Sequence, residues 1–158
     1  MLLEIYLNDH LAAATAGRDL ARRAASSNRD SEYGPFLQRL AHEITEDRES
    51  LVSIMRALNV KVNRIKVLAG WGAEKVGRLK LNGRLLGYSP LSRLVELETL
   101  SLGVHGKLAL WRSLQQLEPT LLPPGYGLLP ELVDRAQHQL EELEVHRQRA
   151  STTALTSD

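Results

Sequence analysis

An all-α bundle is the fold this sequence predicts, and three observations predict it. Two long stretches with apolar residues at helical spacing come first, residues 61–93 form a strongly basic stretch, and two more amphipathic stretches follow. That layout is a four-helix bundle with one long crossover, the crossover carrying an extra helix of its own. A chain of 158 residues, 43% of them hydrophobic, is long enough to bury one substantial core. We therefore expect residues 1–150 to form a single helical-bundle domain and residues 151–158 a frayed polar tail.

The first helix should run from Leu2 to Ala25, because Leu3, Leu7, Leu11, Ala14, Ala21 and Ala24 recur on one face without Pro or a turn cluster. Ser26-Ser27-Asn28 ends it. The second opens at Pro35, where a missing N–H does no harm, and carries Leu37, Leu40, Ile44, Leu51, Ile54, Met55 and Leu58 as far as Asn59. The short link makes these two an antiparallel hairpin. Val62, Ile65, Ala69, Ala73, Val76 and Leu79 then give the crossover helix, followed by turn signals at Gly83 and Gly87. Ser89-Pro90 reads as an N-cap with Pro in the first helical position. The third main helix follows it to Leu117. Residues 119–130 hold four prolines and two glycines and are expected to be a loop. The last helix, from Leu128 to Ala150, sets Leu132, Val133, Ala136, Leu140 and Leu143 against an otherwise charged surface.

Composition narrows the chemistry. With no Cys, disulfides, thiolate nucleophiles and sulfur-ligated metal are excluded, leaving His and carboxylate sites. The start, Met1 to Tyr6, has neither a basic region nor a cleavage site, and no apolar run approaches the roughly 18 residues a membrane span needs. A cytoplasmic protein is the expectation.

Three runs carry a resemblance: Tyr6-Leu7-Asn8-Asp9-His10-Leu11, Gly77-Arg78-Leu79-Lys80-Leu81-Asn82-Gly83-Arg84-Leu85, and Tyr88-Ser89-Pro90-Leu91-Ser92. Together they resemble a group of small uncharacterised bacterial proteins of the ferritin-like four-helix-bundle superfamily. The long crossover is also the ferritin-like connectivity. In that superfamily the functional residues are metal-ligating Glu and His, including Glu-x-x-His pairs. This chain departs from the pattern: Glu43, Glu46 and Glu49 follow one another at the spacing where His is required, and Asp134 is followed three residues later by Gln137. The resemblance thus implies the scaffold without a standard di-iron site.

Individual residues offer an atypical alternative. His10 lies on the stripe of the first helix, and Asp47 interrupts that of the second between Ile44 and Leu51. A buried carboxylate needs a partner, and hairpin pairing places Arg18 at the level of Asp47. Glu98 and His105 share a side of the third helix, seven residues and roughly 10 Å apart, too far for one ion. His10, Asp47, Glu98 and His105 together would make a mixed site for iron or manganese, the basis of an oxidoreductase or metal-storage reading. Ala13, Ala14, Ala16 and Gly17, with Gly103 and Gly106, imply close helix approach, a dimer seam or a slot for an apolar ligand.

Charge is the strongest asymmetry. Residues 61–93 hold eight Lys or Arg against the single acid Glu74, in a chain whose total is only +1. Lys75, Arg78, Lys80 and Arg84 at its centre form a candidate site for a phosphate-bearing ligand, a nucleotide or an acidic protein partner. The near-neutral total and few aromatics argue against nucleic acid. No nucleophile elbow, zincin helix or kinase motif occurs. The expected function is a non-catalytic binding or assembly protein, and the apolar excess of the third helix predicts a homo-oligomer, a homodimer in the first instance.

Overall fold

The computed structural model describes residues 2–63, 87–121 and 127–156. Among these the chain is all-helical, with α1 at Leu2–Ser27, α2 at Gly34–Ala57, α3 at Pro90–Leu121 and α4 at Leu128–Thr156. The predicted crossover helix, and with it Lys75, Arg78, Lys80 and Arg84, lies outside the described residues.

Local chemistry sets the ends of these helices. Ser89 caps α3 as expected: its hydroxyl accepts the Ser92 N–H at 3.1 Å, and the Ser92 hydroxyl reaches back to the Ser89 N–H at 3.3 Å, a reciprocal capping box. Gly34 opens α2 because a Cβ there would stand 2.6 Å from the Arg29 carbonyl oxygen. At the other end of α2, Asn59 takes the left-handed conformation (φ 54°). Its N–H reaches Arg56 O at 3.0 Å and the Val60 N–H reaches Met55 O at 2.8 Å, the two bonds of a Schellman stop.

Two boundaries differ from the expectation. α3 continues through Pro119 to Leu121, since a proline in the final turn forfeits only one backbone bond before the helix ends. Pro130 sits in the first turn of α4, where it is tolerated. The expected frayed tail is instead helical as far as Thr156. Ala150 is buried and Ala154, one turn on, packs against the core, so the apolar face outlasts the expected end.

Hydrogen bonds at the helix ends fix the topology. Asn28, just past α1 and 1% exposed, donates to Tyr88 Oη at 2.7 Å and accepts from Arg93 Nε at 2.6 Å, so α3 begins where α1 ends. At the opposite end, Asn8 donates to Lys61 O at 2.9 Å and accepts from the Asn63 N–H at 2.6 Å. α2 also begins where α1 ends, so α2 and α3 run the same way and α1 opposes both. Arg147 late in α4 meets Glu98 early in α3 at 3.7 Å, making α4 antiparallel to α3. The directions are up, down, down, up. α1 packs chiefly on α2 and α3 on α4, with α1 touching α3 across a looser seam.

The predicted stripes supply the core. Leu7, Leu11, Leu37, Leu40, Leu51, Ile54, Met55, Leu97, Leu100, Val104, Trp111, Leu114, Leu132, Ala136 and Leu143 are all buried. α3 carries more apolar surface than this core takes up: Leu91 and Leu102 are exposed, Leu102 by 75%. No described helix is long and apolar enough to cross a membrane.

Candidate functional site

Asp47 is buried, as its place on the α2 stripe requires, but its partner is not Arg18. Arg18 bonds Asp19 beside it at 2.8 Å. Asp47 Oδ2 instead accepts from Lys107 Nζ on α3, and Oδ1 meets Arg135 Nη2 of α4 at 2.7 Å as an ion pair off the hydrogen-bond axis. The fully buried Gln139 donates to Asp47 Oδ2 at 3.3 Å and to Glu43 Oε2 at 2.9 Å, while its carbonyl accepts from Lys107 Nζ. Arg135 also holds Glu46 at 2.9 Å. Three helices thus converge on one polar cluster. Burial pulls the Lys107 ammonium below the ordinary lysine range, against the opposing pull of Asp47.

Lys107 and Gln139 were not singled out by the sequence reading, although the signal existed. Lys107 sits on the α3 stripe between Val104 and Trp111, and Gln139 on the α4 stripe between Ala136 and Leu143. A polar residue at such a position needs a buried partner just as Asp47 does.

The mixed His and carboxylate set is not drawn together. Glu98 is exposed beside Arg147, and His105 is exposed with its Nδ1 on the Ser101 carbonyl at 3.0 Å. His10 is half-buried against the edge of Tyr6 at 4.6 Å, and burial lowers its pKa. Among the described residues no group of three or more His, Asp or Glu is placed to hold a metal. The donor set itself does not fit iron or manganese, because the charges facing the central carboxylates are the Lys107 ammonium and the Arg135 guanidinium.

Beside this cluster the seam between α1 and α3 opens into a groove of about 610 Å³. Ala13, Ala16 and Gly17 of α1 face Thr99, Gly103 and Gly106 of α3 across it, and Leu20, Leu51, Leu100 and Trp111 complete apolar walls. The small residues do not mark close helix approach. A Cβ added at Gly17, Gly103 or Gly106 would meet nothing within 4 Å. Polar side chains on the lining are few: His10, Asp47, Arg48, Thr99 and Lys107. The Trp111 indole N–H, on a residue 1% exposed, has no hydrogen-bond partner among the described residues.

Arg48 is held at one edge of the groove. Its Nε donates to Thr15 Oγ1 at 3.0 Å, and Thr15 in turn donates to Leu11 O at 2.8 Å. Burial, aided by the like charge of Arg18, lowers its pKa from the ordinary arginine value. A volume of this size, mostly apolar with a few placed polar groups, has the character of a small-molecule pocket. No family model, no curated protein and no solved structure matches the chain.

Proposed function

We propose that this chain is a non-catalytic binding protein on a ferritin-like scaffold, and that its α1/α3 groove holds an apolar ligand. The observation that carries the reading is the open, Gly- and Ala-walled space itself, which the surrounding side chains leave unfilled. Well-packed interiors retain few voids larger than a water molecule, so a groove of this size on a bundle seam suits a guest. The up-down-down-up directions support the ferritin-like part, because they require one long crossover. In place of metal, Lys107 and Arg135 neutralise the central carboxylates, which argues for binding rather than iron chemistry.

Leu102, at the groove's rim and 75% exposed, favours a second reading in which another copy of the chain covers this seam. The uncharged fluorophore Nile red tests the first. One-to-one binding is expected, lost in Gly103→Leu, whose side chain would occupy the groove while the melting temperature holds. Equal binding by Gly103→Leu and the parent would refute the groove as the site. Light scattering addresses the second reading: a dimer that Leu102→Gln converts to monomer supports it, and a monomer at micromolar concentration removes it.

A further inference from the structure

Among the described residues that line the groove, Trp111 alone carries a buried side-chain donor with no acceptor. Buried tryptophans ordinarily give their N–H a partner, and an indole nitrogen can only donate. Left without one, this N–H bears the whole cost of its desolvation. Helix register places it. Arg93 bonds Asn28 at 2.6 Å, and α3 runs opposite to α1, so equal steps along both helices from that bond bring Trp111 to the level of His10. These two lining residues mark one end of the groove, and Leu20 and Thr99 mark the other. Charges on the lining are answered within the protein. Lys107 pairs with Asp47, and Asp19 and Glu49 offset Arg48 where Thr15 holds it. Burial draws His10 toward its neutral form.

Resting on the ligand-groove reading, we infer that the guest is an uncharged apolar molecule bearing a carbonyl oxygen, which accepts the Trp111 N–H at the His10 end of the groove. Its hydrocarbon part lies along Ala13, Ala16, Gly17 and Gly103. The chemistry selects this class from its neighbours. A pure hydrocarbon would fill the space and leave the indole N–H orphaned. An ionised carboxylate would bring a charge into an apolar slot whose cations are already answered, at a high desolvation cost. A carbonyl supplies an acceptor and nothing else, the complement of a group that only donates.

Two probes alike in size and shape, 2-acetylnaphthalene and 2-ethylnaphthalene, differ in the carbonyl oxygen and test this. Each should displace Nile red. In a Trp71→Phe background, proton–nitrogen correlation spectra show the Trp111 indole N–H by itself. That resonance should move downfield with the ketone and much less with the hydrocarbon. The ratio of ketone to hydrocarbon affinity should fall about fivefold in Trp111→Phe, the worth of one net hydrogen bond. Circular dichroism checks that this variant remains helical, and the resonance shift decides the matter if it does not. Equal movement of the resonance with both probes, or an unchanged ratio in a folded Trp111→Phe, overturns the carbonyl assignment while the groove stands. Failure of both probes to displace Nile red overturns it too. The Gly103→Leu result then decides the groove by itself.

Discussion

Removing the Asp47 carboxylate should be one of the most damaging single changes available in this protein. Asp47 is 2% exposed and holds Lys107 from α3 and Arg135 from α4, so its loss strands two cations beside one another. Breaking a buried pair from one side costs about 3 to 5 kcal/mol. Lys107 keeps the Gln139 carbonyl and Arg135 keeps Glu46, which places Asp47→Ala toward the lower end, about 3 kcal/mol. For a chain of this size that corresponds to a fall in melting temperature of roughly 6 to 12 °C. Asp47→Asn keeps an acceptor for Lys107 and should cost less. The combined change of Asp47→Leu with Lys107→Met removes both charges of the closest pair but leaves the buried Gln139 carbonyl without its donor and takes Asp47 from Arg135, so it should still cost about 1 to 3 kcal/mol. Urea unfolding followed by circular dichroism measures all of these. Asp47→Ala within about 0.5 kcal/mol of the parent would refute the argument, for a surface substitution does no more than that.

The open groove predicts that Gly103→Ala and Gly106→Ala each stabilise by about 0.5 to 1 kcal/mol, since each gains helix propensity and meets nothing; a loss on urea unfolding would mean the seam is closed. Gly34→Ala should do the reverse, its Cβ forcing the Arg29 carbonyl aside. Asn28→Ala should cost about 1 to 3 kcal/mol by leaving its partners unpaired, with amide exchange faster at the start of α3, where Tyr88 and Arg93 are held; unchanged exchange there would count against the tether. His146 stacks on Phe36 at 4.0 Å with a buried Nδ1 that has no hydrogen-bond partner among the described residues, and its pKa is lowered by burial and then by Arg149. Below about pH 6.5 the unfolded chain takes up a proton that this folded imidazole resists, so stability should fall as pH drops toward the lowered folded value. His146→Phe should flatten that slope, and an identical slope in the variant would assign the titration elsewhere.

What the sequence determined by itself was everything local in origin. Helical spacing of Leu and Ala marked the described helices and most of their buried faces, and Ser89-Pro90 marked the start of α3, because capping and periodicity involve residues within a turn or two of one another. Asn59 marked the end of α2 for the same reason. Asp47 was recognisable as buried and in need of a partner, but periodicity within one helix carries no information about which residue faces it from another. Hairpin register alone pointed to Arg18; the packing of α3 and α4 brought Lys107, Arg135 and Gln139 instead. The Ala and Gly stripes were equally visible, and two opposite outcomes fit them, tight approach or open space. Tertiary structure decided between these, since the spacing of α1 and α3 is set by side chains elsewhere along both helices, not by the small residues that line the gap.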